Sequence, residues 1–127
     1  MKHIGIVDVV LFHEKIIGET GGSQGVREIG LVESAINRAH ATFDGKDLYT
    51  EIENKVATTC YGLIKNHGFV DGNKRIGIAV MLLLLKMNRI FIEYTQEELI
   101  ELGLGIANSK LNEQYIMKWI KKHKIEA

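Results

Sequence analysis

The 127 residues contain no proline and a single cysteine, and their formal charges cancel. Each absence excludes something. With no proline, low-complexity tract or internal repeat there is no sign of a linker, and one compact domain over residues 1–127 is the simplest organisation. Folding a chain of this length buries roughly two-thirds of its unfolded surface. One cysteine, Cys60, cannot form an intrachain disulfide; it lies in an apolar helical pattern, reads as a core residue and fits a reducing compartment. Sixteen basic against sixteen acidic side chains remove any global attraction to nucleic acid or an anionic membrane, so a phosphate-binding site must be local. No basic surface interleaved with aromatics and no reading helix accompanies the lysines, so direct nucleic-acid binding ranks low. The longest apolar run, Ile76 to Leu85, is about half of what a membrane crossing needs. The N-terminus also lacks the order of a signal peptide. A soluble cytoplasmic protein is therefore expected.

What the chain does have is concentrated in Asn66-His67-Gly68-Phe69-Val70-Asp71-Gly72-Asn73-Lys74-Arg75. This decapeptide joins two apolar segments. Upstream, Ile52, Val56, Ala57, Cys60, Tyr61, Leu63 and Ile64 recur on one helical face; downstream, Ile76 to Met87 is almost wholly apolar and reads as a helix buried on most sides. Gly72 stands where that second helix would begin.

Elsewhere, Asp8 could cap a first helix through about Thr20, with Leu11, Phe12, Ile16 and Val9 inward. The glycine-rich Gly21-Gly22-Ser23-Gln24-Gly25 lacks a P-loop's lysine and hydroxyl pattern and reads as a turn. Leu31, Ala35, Ile36 and Ala39 mark a second helix, while Arg27 and Glu33 before and within it read most simply as solvent-exposed. Residues 41–50 carry the turn signal Asp44-Gly45 and form either an irregular loop or a short hairpin able to position an extended peptide. Ile90 to Ile92 suggests a brief extended segment. Thr95 with Glu98 is a capping-box signature, and Asn112 can cap a last helix with Tyr115, Ile116, Trp119 and Ile120 inward and lysines outward. The expected fold class is all-α, a compact bundle of about five or six helices around the helix after residue 72.

The decapeptide's chemistry follows from its residue types. Free backbone amides and the positive end of a helix starting at Gly72 attract phosphate oxygens; Asn73 can hydrogen-bond them, and Lys74 and Arg75 can add charge-assisted contacts, unless both are merely solvated near a cap. Asp71 is either a helix cap or a ligand for Mg²⁺, which needs one or two carboxylates when water and substrate phosphates complete its shell. His67 is the candidate for proton transfer, since neutral imidazole can accept a proton from a hydroxyl near physiological pH. Phe69 reads as the apolar anchor of the loop. Zinc is not suggested, because no further cysteine or histidine ligands stand at recognisable spacing.

His67 to Arg75 resembles the active-site motif of the Fic/Doc superfamily, and within it the Doc ("death on curing") toxins, in which lysine stands where Fic adenylyltransferases carry glycine. The likeness extends to Gly21-Gly22, Gly25-Val26-Arg27, Gly30 to Ala35, the apolar helix after Arg75 and the Trp119-bearing helix. It implies a compact helical fold and Mg²⁺-dependent phosphoryl transfer from ATP or another nucleoside triphosphate to a threonine of elongation factor Tu, which stops translation. Carried over, His67 is the general base, Asp71 the Mg²⁺ ligand, Gly72, Asn73, Lys74 and Arg75 the phosphate contacts, and Phe69 the buried anchor. A Phd-like antitoxin peptide that folds into a groove is the implied partner. Two departures carry expectations. Gly68 replaces the usual proline and should loosen the loop and lower activity; Ile78 replaces a second arginine, which argues against the alternative of adenylylation. A catalytically weak antitoxin-binding module is the other alternative.

Overall fold

The computed structural model describes residues 1–126. Six α-helices follow one another: α1 (Ile6–Thr20), α2 (Ile29–Asn37), α3 (Ile52–Lys65), α4 (Asn73–Met87), α5 (Gln96–Ala107) and α6 (Glu113–His123). A one-turn 3-10 helix, Arg38–His40, and a two-stranded antiparallel hairpin, β1 (Thr42–Phe43) with β2 (Lys46–Asp47), lie between α2 and α3. The 41–50 segment is thus a hairpin. Asp44 and Gly45 both have positive φ (54° and 76°), which gives the tight turn whose twist matches paired strands.

Two helices share the centre. α3 is the more completely enclosed, its small Ala57, Thr58, Thr59 and Cys60 letting α2, α4, α5 and α6 pack around it. α4 buries Ile76, Val80, Met81, Leu84 and Leu85 against it but leaves Ile78, Ala79, Leu82 and Leu83 partly open. Each large apolar side chain so buried contributes about 2 kcal/mol, enough together to hold the loop between the two helices in one place. Burial pushes the Cys60 thiol up to about 12, as expected of an inert core residue.

Several local expectations change. Asp8 does not cap α1: the helix starts at Ile6 with extended Gly5 before it, and Asp8 lies in the first turn, where its charge suits the helix dipole. The inner face of α1 is Val9, His13 and Ile17, an i, i+4, i+8 row that leaves Leu11 exposed. Tyr115 likewise faces solvent, while Ile116, Trp119 and Ile120 enter the core. The capping box at Thr95 and the Asn112 cap are both formed. The extended segment at 90–92 pairs with the chain after α6 through a bridge between Ile92 and Lys124. Among the described residues no helix is long and apolar enough to cross a membrane.

Candidate active site

α3 ends at Lys65 with Asn66 as its C-cap, and His67 turns the chain with a left-handed backbone (φ 52°). That conformation crowds a side chain, so it persists only where the surroundings hold it. They do so here. Asn66 Nδ2 donates to Leu31 O at 3.0 Å, and Arg27 Nε donates to His67 O at 2.7 Å. The backbone N–H groups of Arg27 and Glu28 both donate to Gly68 O (2.8 and 2.9 Å), and Val70 N–H donates to Gly25 O at 3.0 Å, forming an antiparallel bridge between Val26 and Phe69. Arg27 is therefore a loop clamp and no idle surface charge.

Gly68 does not loosen this arrangement. It is buried, and a Cβ there would lie 2.5 Å from Val32 Cγ2 and 3.1 Å from Val32 N. The missing side chain lets the loop backbone settle onto the start of α2. Phe69 is buried as its anchor.

The next turn is closed by Asn73. Its Oδ1 accepts Phe69 N–H and its Nδ2 donates to Phe69 O, each at 3.0 Å. The Asn73 side chain thus braces the loop, contrary to the expectation that it reaches for phosphate; what it offers an anion is its backbone N–H. Gly72 caps α4 with φ 75°, a conformation and a crowded position that favour glycine, since a Cβ would meet Ile17 Cδ1 at 2.7 Å. The first N–H groups of α4, on Asn73, Lys74 and Arg75, have no partner among the described residues, which leaves a cradle for phosphate oxygens at the positive helix end.

Asp71 stands beside that cradle with its carboxylate fixed. Oδ1 accepts Gly72 N–H at 2.8 Å and Oδ2 accepts Ser23 N–H at 3.1 Å. These bonds from Ser23 and Gly72, helped by the Arg75 cation, hold its carboxyl below the usual range. The group is partly exposed, ionised and presents hard oxygen donors, which fits Mg²⁺ shared with substrate phosphates. Among the described residues no group of three or more His, Cys, Asp or Glu could form an all-protein metal cage. The glycine-rich loop 21–25 is thus more than a turn: it cradles the carboxylate, and Gly21 O also accepts Arg75 Nη1 at 2.6 Å.

The cations divide the work. Arg75 Nη1 also donates to Thr20 Oγ1 at 2.6 Å, and Nη2 lies 3.7 Å from Asp71 Oδ1, so this guanidinium ties the end of α1 to the site. Lys74 is exposed, its stem lies over Gly103 of α5, and its ammonium makes no ion pair among the described residues. Both cations stand at one end of an apolar groove of about 330 Å³ between α1, α4 and α5, lined by Ile16, Ile78, Leu82, Leu99 and Ile100. Ile78, at the position of the second arginine of the adenylyltransferase motif, is a groove wall. The His67 imidazole is exposed and makes no hydrogen bond among the described residues.

One residue of the site escapes the sequence reading. His13, buried to 2%, sits on the inner face of α1, stacks flat on Phe69 with ring centres 3.8 Å apart, and has Nε2 2.6 Å from Asp71 O. A polar residue in the buried row Val9, His13, Ile17 was the available signal.

Toxin Doc of Mycolicibacterium smegmatis is 39% identical over 70 residues, 55% of this chain and 54% of that protein, so this match spans about half of the relative's length. Protein kinase doc of Escherichia phage P1 is 28% identical over 112 residues, 88% of this chain and 87% of that protein. A model of the Fic/DOC family matches residues 4–85, well over half the chain, and the chain belongs to that family.

Proposed function

We propose that this protein is the toxin of a toxin–antitoxin pair and transfers the terminal phosphoryl group of a nucleoside triphosphate to a threonine hydroxyl of an elongation factor Tu-like protein, so halting translation. The observation that carries the reading is a single pinned loop presenting an exposed imidazole, an ionised carboxylate and the open N-terminal amides of a helix within nine residues, His67 to Arg75. The names of the two relatives, a toxin and a protein kinase, support it.

In this mechanism the backbone N–H groups of Asn73, Lys74 and Arg75 hold phosphate oxygens, and Lys74 with the free edge of Arg75 neutralises their charge. Asp71 would hold Mg²⁺, which when bound shields the negative charge of the transferring group. His67 takes the proton of the threonine hydroxyl. The threonine oxygen then bonds to the terminal phosphorus, the bond from that phosphorus to its bridging oxygen breaks, and a nucleoside diphosphate leaves. The apolar groove beside Lys74 is the place for a Phd-like antitoxin segment that folds on binding. Ile78 in the groove wall supports phosphoryl over nucleotidyl transfer, because the cation that would grip the nucleotide in the other orientation is absent. The firmly held Gly68 weighs against a binding module without catalysis.

Intact-mass measurement tests this directly. The protein is incubated with Mg²⁺, a panel of nucleoside triphosphates and purified translation factors. One added phosphate on a factor, lost with His67→Ala and Asp71→Asn, is the expected result. Addition of a nucleoside monophosphate would replace the proposal with nucleotidyl transfer, and an unmodified panel would remove the assigned target.

A further inference from the structure

His13 has a geometry that packing alone does not require. Asp71 O can only accept a hydrogen bond, so the His13 nitrogen 2.6 Å away, Nε2, carries a proton and donates it. The peptide between Asp71 and Gly72 is therefore gripped from both sides. His13 takes its carbonyl, and the Gly72 N–H on the opposite edge of this trans peptide donates to Asp71 Oδ1 at 2.8 Å. The other carboxylate oxygen is held by Ser23 N–H. Rotation of the 71–72 peptide would break the His13 bond and the Gly72 bond together and release the carboxylate from its set direction. The ring's stack on Phe69 and its place beside Ile17 over Gly72 keep the imidazole from following such a rotation.

We propose that His13 is a positioning residue: by donating to the Asp71 carbonyl it fixes the Asp71–Gly72 peptide, and through that peptide the direction in which the Asp71 carboxylate faces the phosphate cradle. This rests on the reading of Asp71 as the Mg²⁺ ligand. A residue behind a metal ligand that sets its orientation is worth about tenfold or more in metal affinity.

Two substitutions separate the donor from the ring. His13→Gln places an amide N–H at the same reach from Cα but removes the stack; His13→Phe keeps a flat ring on Phe69 but removes the donor. Amide hydrogen exchange at Gly72 and Ser23 reads the loop without reference to activity, and the Mg²⁺ concentration giving half-maximal transfer reads its consequence. In H13F both amides should exchange about tenfold faster, the size of one lost hydrogen bond. Half-maximal transfer should need about tenfold more Mg²⁺, with kcat at saturating Mg²⁺ largely kept. H13Q should return both readouts toward wild type. Wild-type exchange at Gly72 and Ser23 in folded H13F overturns the proposal, as does an H13Q protein no better than H13F, which would assign the effect to the stack. If the amides respond as expected while wild-type transfer shows no Mg²⁺ dependence, the positioning role stands and the metal reading of Asp71 fails.

Discussion

His67 is held where a side chain is unwelcome. At φ 52° its Cβ crowds the backbone, at a cost of about 1 kcal/mol that glycine would avoid. The imidazole thus stands against the local preference of the helix end, and its proposed role in proton transfer gives a reason for it. His67→Gly should be more stable than His67→Ala by about 1 kcal/mol in denaturant unfolding, with both inactive in phosphoryl transfer. An alanine variant at least as stable as the glycine one would show that the strain is not there. The neighbouring residue reverses the argument. At Gly68 a Cβ would press on Val32 and on backbone, so Gly68→Ala should lose about 1–3 kcal/mol of stability because α2 or the loop must move. Activity should fall with it, since the displaced backbone carries His67. A fully stable and active G68A protein would show that the contact relaxes at little cost.

At the scale of elements, the loop from 66 to 73 works as an extension of the two helices it joins. α3 and α4 seat it through their buried faces, the 25–28 segment pairs with it, and Asn73 closes it onto Phe69. Asn73→Ala should lose about 1–3 kcal/mol of stability, because Phe69 N–H and Phe69 O both lose their partner, whereas Asn73→Asp keeps the acceptor for Phe69 N–H but sets a charged oxygen against Phe69 O. Denaturant unfolding of the two variants checks this, and wild-type stability in both would show that the side chain does not brace the loop. Much of this was legible from local patterns. The apolar periodicities, the Thr95–Glu98 box, the Asn112 cap and the Asp44–Gly45 turn each depend on residues a few positions apart, and each is where the pattern places it. The motif residues were legible too, but not the division of labour among them. What stayed hidden depends on contacts across the chain: His13 meets Asp71 over 58 positions, Ser23 meets it over 48, and Arg27 meets His67 over 40. Periodicity says that such residues face inward or outward and nothing about what they meet.

Across the whole molecule, the last helix and the tail behind it fasten the bundle by charge as well as by Trp119. Lys121 pairs with Glu51 and Lys124 with Glu53, at and just before the start of α3, and His123 joins α6 to Glu98 at the head of α5. The His123 ring stacks on Trp119 with centres 4.0 Å apart, its Nδ1 faces Trp119 O and its Nε2 faces Glu98 Oε2, both at 2.7 Å. Each ring nitrogen thus faces an oxygen of a different helix, which ties α5 and α6 together through one side chain. The bond from His123, with the Thr95 N–H of the capping box, brings the Glu98 carboxyl down to about 2. Its ordinary value is 4.5, so the unfolded chain takes up a proton at Glu98 before the folded protein does. The stabilisation from this carboxylate is therefore fully present above about 4.5 and is lost as pH falls from there through about 2. Glu98→Gln removes the charge at every pH while keeping an acceptor oxygen for Thr95 N–H. Its thermal midpoint should lie below wild type at neutral pH, and the gap should narrow as pH falls from about 4.5 towards about 2. A gap that stays constant over that window would mean that Glu98 holds α5 to α6 by packing and capping alone.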